Sequence, residues 1–449
     1  MSIMGTLSGL FSGRGPDRLG VEERRVFRLH LLSTLAAAVV SGVTLNSEYI
    51  AANGLHASAW QVTLLVIAWP VSKFLSVVVN SFVERRGCYR AAVIAAGFLR
   101  LPIALMSVSK DVNLMLVLIA CFSAADGVMV PVLNAILREK YAEGRRGFLF
   151  GTALSVFTFF SLPAAFLAGR LLDADFMVYR LLFVLMAAAG FIHAMIFAGM
   201  TRGMPVKTDA DTGTRLLREL WRVFSKDRQF ALFESYFMIY GFAFMMILPA
   251  IPFFARDVLG LRYEQYAFAK GVLAQIGILF LSPLMGTRLE KLHPFRFTGI
   301  ICIVLAVYPL LIATGGLFRS AGIPLFYAAF AVYSIAMAGI NISWNMSSLH
   351  FAPPGQAATY QGLHVTLTSV RGLLAPLLGN AILLNCGLAS TFLVSAGFFA
   401  LAGLLFLRRG SLSGSGSEAL HQPSPEVNIL EQDQRESYVP TAGGMHGSE

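Results

Sequence analysis

The chain has 449 residues, of which 56% are hydrophobic and only 13% charged, and its mean hydropathy is +0.67. A soluble globular protein carries about 25% charged residues, and so apolar a chain has nowhere to put its surface in water, which excludes that class and indicates a polytopic membrane protein. The formal net charge of +10 suggests a nucleic-acid partner, but no basic stripe interleaved with aromatics lies outside the apolar runs, and that reading is set aside.

A bilayer core about 30 Å thick takes about 20 apolar residues per helix. Twelve windows qualify: 28–48, 60–82, 91–109, 113–136, 148–169, 179–200, 230–253, 265–285, 297–316, 323–345, 360–382 and 388–407. The N-terminal segment 1–27 is Arg-rich and shows no cleavable signal. The expected organisation is a six-helix bundle over 28–200, a linker over 201–229, a second bundle over 230–407 and a tail over 408–449. The linker stretch "RLLRELWRVFSKD" reads as an amphipathic surface helix. The tail is Gly/Ser/Pro-rich and reads as disordered. With a cytoplasmic N-terminus, 25 of the 35 Lys and Arg fall on the cytoplasmic side and six on the other. The bias toward the inside places both termini in the cytoplasm of an inner or plasma membrane.

The two halves align on each other. At an offset of 206, "NSFVERRGCYR" (80–90) meets "GTRLEKLHPFR" (286–296), and "NGLHASAW" (53–60) meets "LGLRYEQY" (259–266), pairing Gly54 with Gly260. At 211, Asn134 meets Asn345 and Gly151 meets Gly362. Two parallel six-helix halves with a long middle loop resemble the major facilitator superfamily of secondary transporters, over about residues 25–410. The family's signature between the second and third spans, G-x-L-a-D-r-x-G-r-k, stands here as Asn80, Phe82, Glu84, Arg85, Gly87, Cys88 and Tyr89. Its acid, one base and second glycine are kept in kind; Arg90 stands near one late base. The resemblance implies twelve transmembrane helices and alternating access. The fourth-span arginine used by the family in proton coupling is absent: Ser123 stands there, with Asp126 and Gly127 following. The fifth-span antiporter pattern is also absent.

A short acidic turn at a cytoplasmic helix end can face another helix's N-terminus, which favours negative charge. Glu84, Arg85, Arg86, Gly87 and Arg90, with Glu290 and Lys291 in the second half, are therefore the expected gating residues.

Ionisable residues inside spans are functional candidates. Lys73, Arg100, Asp126 and Arg371 lie near helix centres. Lys270 and Glu234 lie near ends, within snorkelling reach of water. A surplus of cations favours an anionic ligand. Gln361, His364, Thr368 and Arg371 share one helix face, and an arginine fork grips carboxylate or phosphate. Arg371, Thr368 and His364 are expected to bind substrate, with Asn341, Asn345 and Trp344 of the tenth span. Thr44 of the first, Tyr240 of the seventh and Lys73, heading a stripe with Ser76 and Asn80, complete the set. A structural pairing of Arg371 with Asp126 or a carbonyl is the competing reading. Asp126 and Glu48 are the expected proton-coupling acids, and a structural pair of Asp126 with Arg100 or Lys73 competes with that role.

Cys88, Cys121, Cys302 and Cys386 show no metal or redox spacing, so no metal or cofactor is expected. The absence of a G-x-x-x-x-G-K-[ST] loop and of clustered catalytic residues argues against an ATP-driven pump or an enzyme. The expected function is proton-coupled transport of a small organic anion by a monomer in contact with lipid. An exporter of hydrophobic or cationic compounds and a transport-inactive scaffold or receptor are the alternatives.

Overall fold

The computed structural model describes residues 19–205, 222–353 and 356–414, a few side chains excepted, among them those at 74–78, 80–81, 289–291 and 348–349. The linker over 206–221, most of the N-terminal segment and the tail from 415 lie outside the described residues. So do the side chains of Ser76, Asn80, Glu290 and Lys291.

The described residues are almost all helical, with no strand among them. In chain order the first half contains α1 (Val21–Tyr49), α2 (Ala59–Arg86), α3 (Tyr89–Arg100), α4 (Val112–Lys140), α5 (Glu143–Ala174) and α6 (Tyr179–Met200). The second contains α7 (Arg228–Met246), the short α8 (Ala250–Phe253) and α9 (Tyr263–Ala267), then α10 (Ala274–Lys291), α11 (Pro294–Leu317), α12 (Gly322–Phe351) and α13 (Ala357–Gly414). Ten helices among the described residues are long and apolar enough to cross a membrane, against twelve expected windows. The last of the ten, Thr359–Ser411, contains a break at Gly387 (φ 85°, ψ 175°), where a chain without a Cβ turns and a second helix begins. Beyond the ten, α2 is a 28-residue helix whose side chains are described only in part.

Each half packs on itself. In the first, α1 lies against α5 and α6, and α4 against α2 and α3; in the second, α13 lies against α7 and α11, and α12 against α10 and α11. The halves meet where α2 runs along α13 and α5 along α9 and α10. Small residues permit these crossings, as expected where lipid supplies no hydrophobic drive between helices. A Cβ on Gly169 of α5 would stand 2.6 Å from Ala267 Cβ, and one on Gly372 of α13 would stand 2.5 Å from Pro70 of α2.

The internal repeat is visible in atomic detail at one corner of each half, in a register two residues from the expected one. After α1 a π turn spans Ile50–Gly54; after α8 another spans Phe254–Val258. Leu55 N–H donates to Ile50 O and Ala57 N–H to Ala51 O; Leu259 N–H donates to Phe254 O and Leu261 N–H to Ala255 O. Gln61 Oε1 accepts from Ser58 N at 2.9 Å, and Gln265 Oε1 from Arg262 N at 2.9 Å. Every pair is 204 residues apart. The left-handed residue of the corner is His56 (φ 56°) in the first half and Gly260 (φ 60°) in the second. Gly260 thus corresponds to His56 rather than to Gly54. Gly54 is small for a different reason: a Cβ there would stand 2.0 Å from the Phe176 ring.

Candidate functional site

Arg371 of α13 is 4% exposed and lies against α7. Its Nη1 donates to Phe237 O at 2.7 Å, and its Cζ lies 5.0 Å from the Phe237 ring centre and 5.6 Å from that of Tyr240. The groove for it exists because position 241 is glycine. A Cβ there would stand 2.2 Å from Arg371 Cδ and Nε and 2.4 Å from Cζ. Among the described residues no carboxylate comes within 4 Å of this guanidinium; its charge is met by a carbonyl dipole and two aromatic faces.

Two turns before Arg371, His364 Nδ1 meets both Glu234 oxygens, at 2.8 and 3.1 Å. The two side chains are 1% and 2% exposed. A carboxylate so close fixes the tautomer with Nδ1 as donor. His364 Nε2 is buried with no hydrogen-bond partner. The imidazole is walled by Phe237 and by Trp344 of α12, with ring centres 5.1 and 5.3 Å away. Trp344 Nε1 donates to Thr368 Oγ1 at 3.4 Å, and Thr368 Oγ1 donates to His364 O at 2.9 Å. The structure thus brings together five of the expected residues: Arg371, Thr368, His364, Trp344 and Tyr240. Across the junction of the halves, Lys73 Nζ lies 3.6 Å from the Trp69 ring centre and 5.7 Å from that of Trp344.

The other candidates lie elsewhere or are satisfied locally. Asn341 Nδ2 donates to Met337 O at 3.0 Å and Asn345 Nδ2 to Asn341 O at 2.7 Å, each within its own helix. Thr44 Oγ1 donates to Val40 O at 2.9 Å and is exposed. Asp126 pairs with Arg100, which is 3% exposed and also donates to Gly190 O at 3.3 Å. Glu48 pairs with Lys270 across the two halves.

At the other end of the molecule, Gly87 (φ 60°) caps α2 in the left-handed region. Glu84 pairs with Arg138 of α4 at 3.5 Å, and Arg86 lies over the Phe82 ring at 5.0 Å. Arg85 and Arg90 are exposed.

Sequence reasoning passed over Glu234, expecting it near water; it is 1% exposed and partners His364. The available signal was the spacing of Glu234, Phe237 and Gly241, which at i, i+3 and i+7 lie near one face of the seventh span. It also passed over the end where the halves join. Between described residues, the hydrogen bonds and ion pairs across the halves all gather where α1 ends and α9 begins. Tyr49 Oη donates to Leu261 O and Arg256 Nη1 to Ala52 O. The Asp173 carboxylate accepts Tyr263 N–H and Glu264 N–H at 2.8 Å each, capping α9 from the opposite half. Tyr49 stacks on Tyr266 with centres 4.3 Å apart. Arg256 and Ala52 are equivalent in the 204-residue register, so their bond lies beside the axis relating the repeats.

A chain of long apolar helices in two repeats, with buried charge where the repeats meet, defines a multi-pass membrane transporter. Residues 29–376 match the family model of the Major Facilitator Superfamily, and the chain belongs to that family. Solved structures with the same fold include the nucleoside transporter NupG, 14% identical, covering 87% of this chain and 99% of its own, with a TM-score of 0.63. A POT family transporter in complex with 5-aminolevulinic acid is 12% identical, covers 89% and 98%, and has a TM-score of 0.70. The human organic anion transporter MFSD10 (TETRAN) is 16% identical, covers 86% and 99%, and has a TM-score of 0.57. No functionally curated protein matches the chain in sequence. At such identities the likeness is one of fold; substrate must be argued from the site.

Proposed function

We propose that this transporter moves a small organic anion across an inner or plasma membrane by alternating access, coupled to a proton. The observation that carries the reading is Arg371, a permanent cation in a membrane core where a charge costs at least ~2.5–3.5 kcal/mol. It is held by a carbonyl and aromatic faces with no carboxylate against it among the described residues. Lys73 brings a second cation to the junction of the halves beside Trp344. The charges inside the spans divide into Lys73, Arg100, Lys270 and Arg371 against Glu48, Asp126 and Glu234. Of these, Arg100 and Asp126 offset each other, as do Lys270 and Glu48. A planar carboxylate gripped by the Arg371 fork offsets this surplus of one cation and makes use of the aromatic surroundings. With both termini cytoplasmic, the joined end is the outer one.

The test is a thermal-shift screen of the purified protein against carboxylates, organophosphates, sugars and cationic dyes, repeated on Arg371→Lys and Arg371→Ala. A ligand that binds only the folded state raises the melting temperature. Carboxylates or organophosphates are expected to stabilise the wild type, and both variants are expected to lose most of the shift, since lysine lacks the fork. Stabilisation by cationic dyes alone, or an anion shift unchanged in both variants, overturns the reading.

A further inference from the structure

We propose that the buried Glu234–His364 pair is the proton-binding site of this transporter, taking its proton at His364 Nε2. The inference rests on the proton-coupled reading above and names the group that carries the proton. Three observations point to it. The pair is sealed, 2% and 1% exposed, in a wall of α7 and α13. Its Nδ1–H is committed to the carboxylate, so the open valence is at Nε2. Nε2 is buried and has no partner, an arrangement that leaves a polar atom's hydrogen-bonding capacity unused.

The balance is simple. From the neutral imidazole beside ionised Glu234, Nε2 accepts one proton from the aqueous side and becomes an imidazolium. Nδ1–H stays with Glu234, and no other bond changes. The wall then gains one unit of positive charge two turns from Arg371 on the same helix face. An anion on that face is held more tightly when the proton is present, and the proton more tightly when the anion is, because coupling of two sites is reciprocal. In this arrangement Nε2 is out of reach of water, so proton exchange belongs to the other conformational state. The charged group against His364 is Glu234 on α7; Arg371 follows two turns along α13, with Tyr240 on α7 and Cys302 on α11 acting on Arg371, and Lys73 on α2 lies on the other side of Trp344, with Asp126 acting on Lys73. On α12 the neighbour is the uncharged Trp344.

Trp344 supplies a reporter that needs no substrate, because an imidazolium 5.3 Å away quenches indole emission and a neutral imidazole does so far less. The experiment is a pH titration of tryptophan fluorescence on the full-length protein in nanodiscs. The wild type is expected to show one quenching step on acidification. The step is lost in Trp344→Phe, which leaves the pair intact, and in His364→Gln. In Glu234→Gln its midpoint moves to lower pH, because the carboxylate no longer stabilises the cation. A wild type without a step, a step that survives Trp344→Phe or His364→Gln, or an unmoved midpoint in Glu234→Gln overturns the proposal. If His364→Gln does not fold, the wild type and Trp344→Phe still decide. The titration contains no anion, so its failure is distinct from a failure of the anion screen.

Discussion

At Arg371 a single missing methyl determines whether the charge is tolerated. Gly241 leaves the groove in which the guanidinium reaches Phe237 O, and a Cβ there would overlap Cδ, Nε and Cζ. Gly241→Ala is therefore expected to cost about 1–3 kcal/mol, the usual range for overpacking, and to abolish the anion-dependent thermal shift. In an Arg371→Ala background most of that cost should vanish, because the two positions share one volume. A double-mutant cycle on melting temperature checks this; additive losses would show that the glycine serves something else. Arg371 itself was legible in the sequence, since a charge in the middle of an apolar run announces itself. Its support was not, because glycine in a membrane helix has many uses and only the facing side chain selects among them. Glu234 was misplaced for a related reason: distance from a helix end measures depth in the bilayer, not which neighbour waits there.

At the scale of elements, the apolar spans were readable because lipid demands continuous runs, ten helices among the described residues against twelve expected windows, and the ends of those runs were less so. The repeat illustrates this. Sequence similarity paired Gly54 with Gly260, yet the hydrogen bonds pair His56 with Gly260, because the corner is specified by backbone conformation and two different residues occupy its left-handed position. Histidine there carries a penalty that glycine does not, about 1–2 kcal/mol. His56→Gly is thus expected to raise stability by up to that amount, less the entropy glycine adds to the unfolded chain, read as a higher melting temperature; a lowered melting temperature would mean that the imidazole makes a compensating contact. A pair of histidines sits beyond the spans, His293 before α11 and His350 near the end of α12, with ring centres 5.5 Å apart. Burial holds His293 below the usual imidazole range, with the charge of His350 adding to the effect, and burial lowers His350 as well. The unfolded chain then binds more protons than the folded one as pH falls below about 6.5. Stability should be fully present above that pH and decline as acid protonates the pair. The double variant His293→Gln/His350→Gln should show a flatter dependence of melting temperature on pH between about 5 and 7; an unchanged slope would assign the acid sensitivity to other groups.

For the whole molecule, the polar contacts between halves are what the proposed alternating access has to break. Between described residues the hydrogen bonds and ion pairs across the halves gather at one end: the Lys270–Glu48 pair, the Asp173 cap on α9, and Tyr49 and Arg256 bound to carbonyls of the opposite half. None of this was visible in the sequence, because each partner lies 90 or more residues from the other and only the packed repeats bring them together. The expected proton role of Glu48 has a competing one here, as a latch whose carboxylate meets Lys270 with both side chains under one fifth exposed. Removing one member of a largely buried pair costs about 3–5 kcal/mol. About 5.5 kcal/mol moves a two-state equilibrium from 1:99 to 99:1, so one substitution is enough to repopulate the states. Spin labels at Lys110 and Arg262, exposed residues on the two halves near this end, in a background without the four cysteines, read the separation directly. The wild type should give a short distance. Glu48→Lys, which sets two cations face to face, should shift the population toward a longer one. The exchange Glu48→Lys with Lys270→Glu should return it to the short one, since the latch requires opposite charges and not a particular order of them. A distribution that ignores these substitutions would mean that the tyrosine stack and the Asp173 cap hold this end alone.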